Sequence, residues 1–170
     1  MARVEAEIAR LIREYQTKTG RLLTIGTVES ATGGRIADRI TNVPGSSDYF
    51  KGSIVAYSNE VKTAVVGVKK ATIEKHGAVS EQTAREMARG GRRVLEVDMC
   101  VSDTGIAGPS GGSPGKPVGL FYLSLAAEDE CLCERHVFPG NREENKREAT
   151  KAALDMLKEH LLRLISSYGG

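Results

Sequence analysis

The sequence has no tryptophan, only three phenylalanines and five tyrosines, and no apolar run near the ~20 residues that a membrane-spanning helix requires. The first shortage removes the aromatic platforms on which proteins stack single-stranded bases. The second argues against a membrane partner and against a secretory signal at the start of the chain. Charge of one sign is missing too. The 24 basic and 22 acidic residues are interspersed and sum to +2, so there is no basic footprint for nucleic acid. Cysteine is scarce and odd in number: Cys100, Cys131 and Cys133 make no disulfide framework, and Cys-x-Cys without a second pair is a poor metal signature. A reducing cytoplasm is expected, with the thiols buried as small hydrophobes.

Glycine, by contrast, is plentiful. It supplies 19 of 170 residues, about 11% against a usual ~7%, and clusters at 26–34 and 105–115, where backbone must turn tightly or approach a ligand. A length of 170 residues with 40% hydrophobic composition suits one full core, so residues 1–170 are read as one domain.

The first cluster changes character in its middle. Leu22 to Val28 is short, β-branched and apolar, like a buried strand of a parallel sheet. Glu29, Ser30 and Thr32 then supply side-chain oxygens, Gly33 and Gly34 remove bulk, and Ile36, Ala37 and Ile40 resume at helical spacing. A strand feeding a helix start leaves backbone N–H groups near Ala31 to Gly33 for an anion or a developing oxyanion. The plainer alternative makes Ser30 or Thr32 an N-cap only.

Around this stretch, Val4, Ile8, Leu11, Ile12 and Tyr15 fall on one face of an N-terminal helix that Gly20 ends. Gly52 to Tyr57 reads as a second strand, with Ser58 or Asn59 capping a helix through Val61, Ala64 and Val65. A short helix over Val68 to His76 and a longer one from Ser80 through Leu95 follow. Asp98 to Asp103 is a third strand, and it feeds the second glycine loop, Thr104 to Pro117. Val118 to Ala126 and Leu132 to Phe138 alternate as a hairpin about an acidic turn, and Asn141 to Ser167 is a long terminal helix. Strands alternating with helices and then a hairpin predict an α/β fold, a single three-layer α/β/α domain with a mixed sheet. Ligands of such sheets sit beyond the carboxyl ends of the strands. Ser30, Tyr57 to Lys62 and Thr104 to Gly112 all follow strands.

Common motifs fail. Gly115-Lys116 is followed by Pro117 and lacks the glycine a phosphate loop needs, Gly105-Ile106-Ala107-Gly108 lacks the dinucleotide Gly-x-Gly, and Ser30 is outside both Gly-x-Ser-x-Gly and Ser-x-x-Lys. His76, His136 and His160 lie away from the glycine clusters, which leaves a Ser-His-Asp triad without support. A serine at a helix start and a lysine after a neighbouring strand remain. Lys62 is either a solvated helix lysine or a base, and the second requires desolvation or positive neighbours to bring it down from ~10.4.

Val28-Glu29-Ser30-Ala31-Thr32-Gly33-Gly34, Val55 through Lys62, His76-Gly77-Ala78-Val79-Ser80, Thr104-Gly105-Ile106-Ala107-Gly108-Pro109 and Lys116-Pro117-Val118-Gly119 together resemble the CinA C-terminal domain family, in order and over nearly the whole chain. Its characterised enzymatic members are nicotinamide-nucleotide amidases with a single α/β/α layered domain. The resemblance implies deamidation of nicotinamide mononucleotide by a metal-free Ser/Lys dyad without a cofactor: Ser30 as nucleophile, Lys62 as general base, and Tyr57 beside them as a catalytic candidate. Ala31, Thr32, Gly33, Gly34, Asn59, Thr104, Gly105, Gly108 and Arg142 are the expected substrate-binding residues. The expected partner is a small-molecule nucleotide, with no nucleic acid or membrane, and with assembly as a homo-oligomer. The family name also admits a non-catalytic regulatory or nucleotide-binding module. The sequence departs from the pattern at Ala31, often cysteine, at Asn141, often aspartate, and at Asp103, usually hydrophobic or small. A carboxylate at 103 is expected to repel a phosphate unless it points away. Longer members add an N-terminal pyrophosphatase domain, whose metal-dependent activity is not expected here.

Overall fold

Five strands form the sheet: β1 (Ile25–Glu29), β2 (Phe50–Val55), β3 (Met99–Gly105), β4 (Leu120–Ala126) and β5 (Cys131–Val137), in the order β2-β1-β3-β4-β5. The coordinates are a computed structural model that describes residues 1–169. β1 pairs in parallel with both β2 and β3, whereas β3-β4 and β4-β5 are antiparallel. The sheet is mixed, as the alternation of elements predicts. β1 is buried along its length because it has a strand on each side and helices above and below.

One layer consists of α1 (Val4–Thr19), α2 (Arg35–Thr41) and α6 (Arg142–Ser167). The predicted stripe Val4, Ile8, Leu11, Ile12 and Tyr15 is buried there, in one cluster with Ile36 and Ile40 of α2 and Ala149, Ala153, Leu157 and Leu161 of α6. Each fully buried leucine or isoleucine contributes about 2 kcal/mol. The opposite layer holds α3 (Asn59–Ala64), α4 (Lys70–His76) and α5 (Glu81–Leu95), where Met87 packs with Val28, Cys100, Val66 and Val68.

Several boundaries differ from the sequence reading. β2 begins at Phe50 rather than Gly52, because Phe50 pairs with Ile25 across an irregularity in the β1-β2 register. β4 begins at Leu120 rather than Val118, since Gly119 takes φ +90°, which breaks the extended run. Cys100 is fully buried, but Cys131 and Cys133 are only half-buried. They sit on the outermost strand, which is covered on one edge alone, so the expectation of burial is corrected for Cys131 and Cys133. Among the described residues no helix is long and apolar enough to cross a membrane.

Candidate active site

β1 lies between β2 and β3, and the chain leaves it in one direction toward β2 and reaches β3 on the other side. A crevice opens at such a switch point, beyond the carboxyl ends of the strands. A pocket of about 270 Å³ occupies it. Ser30 and Ala31 enter from the end of β1, Tyr57, Asn59 and Lys62 from the β2–α3 segment, Thr104, Gly105 and Gly108 from the end of β3 and its loop, and Arg142 from the first turn of α6. Thr32, Gly33 and Gly34 are not on its wall.

Lys62 is held in place by a short helix with a sound start: the Ser58 hydroxyl accepts the Val61 N–H at 3.2 Å and caps α3. From the last turn of that helix Lys62 reaches inward and is only 2% exposed. Its Nζ donates to Ser30 Oγ at 3.0 Å, to the Ala56 carbonyl at 2.8 Å and to the Tyr57 carbonyl at 3.1 Å. Burial pushes the Lys62 pKa below its usual value, and the charge of Asp103 opposes the fall. The solvated-lysine reading is therefore excluded.

The turn after β1 is organised by two carboxylates. Glu29 accepts the amides of Gly34, Ile36 and Ala37 at 3.1, 2.9 and 2.9 Å, which satisfies the orphan donors that begin a helix. Gly34 is the N-cap residue, and having no side chain it leaves the capping to Glu29. Neither Ser30 nor Thr32 is the cap. Asp103 accepts the amide of Ser30 at 2.9 Å and that of Thr32 at 3.1 Å, and Gly33 N–H bonds to the Ser30 carbonyl at 3.1 Å. The expected row of free amides over Ala31 to Gly33 is thus corrected: among the described residues only the Ala31 N–H there has no acceptor. Asp103 is fully buried under the turn and off the pocket wall, so it does not face a phosphate. Burial pushes its carboxyl up to about 6, against the hydrogen bonds from Thr32 and Ser30.

The other wall is a clamped loop. Arg142 donates to the Gly108 carbonyl at 2.8 Å and to the Tyr57 hydroxyl at 3.3 Å across the pocket mouth. Tyr57 is 63% exposed, and its side chain is bonded to Arg142 rather than to Ser30 or Lys62. The Thr104 hydroxyl donates to the Ala78 carbonyl at 2.7 Å, and Lys116 Nζ donates to the His76 carbonyl at 2.7 Å, so the loop is tied to the α4–α5 connection. Gly105 owes its identity to packing, because a Cβ there would stand 2.3 Å from the Phe121 ring. Sequence reasoning missed Asn145. It is buried, donates to the Ala107 carbonyl at 3.0 Å and accepts the Gly140 amide at 2.9 Å. Its spacing of four and eight residues from the buried Ala149 and Ala153 was the available signal. The roles of Glu29 and Asp103 under the turn were missed as well.

Comparison with known proteins follows the same outline. The family model for the CinA C-terminal domain matches residues 5–161. A putative competence-damage inducible protein of Halothermothrix orenii is 52% identical over 142 residues, 83% of this chain and 34% of that protein. A CinA-like protein of Thermotoga neapolitana is 42% identical over 159 residues, 94% of this chain and 37% of that protein. The chain thus spans little more than a third of the length of these curated relatives. Among solved structures, competence/damage inducible protein CihA from Agrobacterium tumefaciens superposes with a TM-score of 0.83 at 36% identity, covering 92% of this chain and 97% of that one. Competence damage-inducible protein A (ComA) from Klebsiella pneumoniae gives a TM-score of 0.85 at 29% identity, with 94% and 95% covered.

Proposed function

Since the chain belongs to the CinA C-terminal domain family, we propose that it is an amidohydrolase converting nicotinamide mononucleotide to nicotinic acid mononucleotide and ammonia. The observation that carries this reading is the 3.0 Å contact between Lys62 Nζ and Ser30 Oγ, both shielded from solvent. A neutral amine has two N–H bonds and one lone pair. With the N–H bonds on the carbonyls of Ala56 and Tyr57, the lone pair faces the Ser30 hydroxyl and takes its proton as the oxygen attacks the carboxamide carbon. Desolvation favours the neutral form. The free N–H of Ala31 meets the tetrahedral oxyanion, and Lys62 returns the proton to departing ammonia. A water that Lys62 deprotonates in turn releases the acid and restores Ser30.

Arg142 and the amides of Ala107, Gly108, Ser110 and Gly111, which have no acceptor among the described residues, hold the phosphate end. A guanidinium has five N–H donors, and the two bonded to Gly108 and Tyr57 leave others for the ligand. A regulatory module that only binds a nucleotide has no use for a desolvated base against a serine, and this favours the enzyme.

The test is ammonia release from nicotinamide mononucleotide by the purified protein. Ser30→Ala and Lys62→Ala are each expected to lower turnover by at least ~10³, with the double variant little worse because the pair acts as a unit. Lys62→Arg is expected not to rescue, as guanidinium stays protonated. Near-normal turnover in Ser30→Ala would sink the mechanism. Arg142→Ala is expected to raise KM for the mononucleotide more than it lowers kcat. Equal efficiency on nicotinamide riboside, which lacks the phosphate, would reassign that end of the pocket.

A further inference from the structure

Two carboxylates meet behind Ser30 with one hydroxyl between them. Thr32 Oγ1 lies 2.7 Å from Glu29 Oε1 and also contacts Asp103 Oδ1, and all three side chains are shut off from solvent. A hydroxyl carries one proton. It donates to one carboxylate only, so both contacts hold together only when a second proton sits on a carboxyl oxygen. Glu29 is the poorer place for it, because its oxygens already accept three amides and the Thr27 hydroxyl. Asp103 accepts two amides. The proton belongs to Asp103, which completes a chain from Asp103 through Thr32 to Glu29. The rise of the Asp103 carboxyl to about 6, caused by burial, agrees with that placement.

The same carboxyl reaches the dyad. Asp103 holds Ser30 by its amide at 2.9 Å while Lys62 holds Ser30 by its hydroxyl at 3.0 Å. We propose, resting on the amidohydrolase reading above, that Asp103 is a positioning residue of the dyad: it fixes the Ser30–Thr32 turn, and its gain or loss of a proton sets how readily Lys62 becomes neutral. When Asp103 is ionised, its charge holds the Lys62 ammonium. When it carries the proton shared with Thr32, Lys62 faces no such counter-charge. The other ionisable groups around the pair are Glu29 from β1, Tyr57 from the β2–α3 link, and Arg142 and Lys146 from α6, the last with its amine near Gly33. β4 places Leu123 opposite Asp103.

The test reads Lys62 directly, without substrate. In protein labelled with ¹³C-lysine, the ¹³Cε shift of Lys62 is followed against pH by NMR and assigned by its absence in Lys62→Met. Asp103→Asn is expected to lower the Lys62 midpoint by about one pH unit, tenfold in proton affinity. Thr32→Val removes the hydroxyl that turns to donate to Asp103 once Asp103 is ionised, and is expected to move the midpoint the same way by a smaller step; it decides the matter if Asp103→Asn does not fold. An Asp103 that served packing alone would leave the midpoint where it was. A midpoint that is unmoved or raised in the deciding variant overturns the proposal. Because no substrate is present, the outcome is independent of turnover: a lowered midpoint in a protein that releases no ammonia refutes the amidohydrolase reading and leaves the Asp103–Lys62 coupling intact.

Discussion

Two side chains under the pocket are expected to make stability depend on pH in opposite senses. Lys62 has a native pKa lowered by burial. Between that value and the ~10.4 of a free lysine the unfolded chain binds more protons, so this residue makes stability rise with pH in that window. Asp103 is raised to about 6 from ~3.9, so between those values the native chain binds more protons and stability falls as pH rises. For Asp103 the shift corresponds to roughly 3 kcal/mol. Urea denaturation of the protein and of Asp103→Asn at pH 4, 5, 6 and 7 checks this: the difference in unfolding free energy should move against the protein by about that amount on going from pH 4 to pH 7. A difference that stays flat would show that Asp103 does not titrate there. Ser30 and Lys62 were legible as a pair because each lies a few residues beyond the end of a strand, in the segment where the chain turns into a helix. Asp103 was legible as an oddity only, since its partners Ser30 and Thr32 lie 73 and 71 residues earlier in the chain, and sequence polarity carries no direction.

At the scale of elements, the start of α2 is where sequence reasoning and structure part most. The run of oxygens and glycines from Glu29 to Gly34 predicts a helix start, and α2 does begin at Arg35. That the donors are taken by Glu29, five to eight residues before its partners, depends on how the last residue of β1 folds back, which no spacing rule states. Glu29→Gln is therefore expected to destabilise the protein by roughly 3 kcal/mol, because an amide in its place turns an N–H toward buried N–H donors. Asn141→Ala offers a scale for comparison. It removes a complete capping box with Glu144 at the exposed start of α6, and the expected loss is about 1 kcal/mol. Thermal unfolding followed by circular dichroism should rank the two in that order. A Glu29→Gln protein as stable as Asn141→Ala would mean that α2 finds other partners. The helices with a strict apolar stripe, α1 above all, were readable to within a few residues because packing follows the period directly. β5 was readable as a strand, but its position at the sheet edge was not, and with it went the burial of Cys131 and Cys133.

For the whole molecule, the sheet order puts the ends of three parallel strands side by side and gathers the pocket wall from residues between 30 and 142. The basic residues on that wall are Lys62 and Arg142, and among its residues there is no carboxylate, imidazole or thiolate. The carboxylates behind the dyad, Glu29 and Asp103, are turned away onto backbone amides. Divalent ions in proteins need anionic oxygens, imidazoles or thiolates at short range, and the Arg142 guanidinium repels them while attracting a phosphate. In the proposed mechanism the nucleophile comes from Ser30 rather than from a metal-bound water. Ammonia release from nicotinamide mononucleotide is therefore expected to proceed at an unchanged rate after exhaustive EDTA treatment. The same site should show its positive wall in another way: raising ionic strength should increase KM for the phosphorylated substrate while leaving kcat nearly constant, as screening weakens the contact with Arg142. Activity lost in EDTA and regained with zinc or magnesium would mean that the carboxylates under the turn reorient toward a metal, and the dyad mechanism would have to be abandoned.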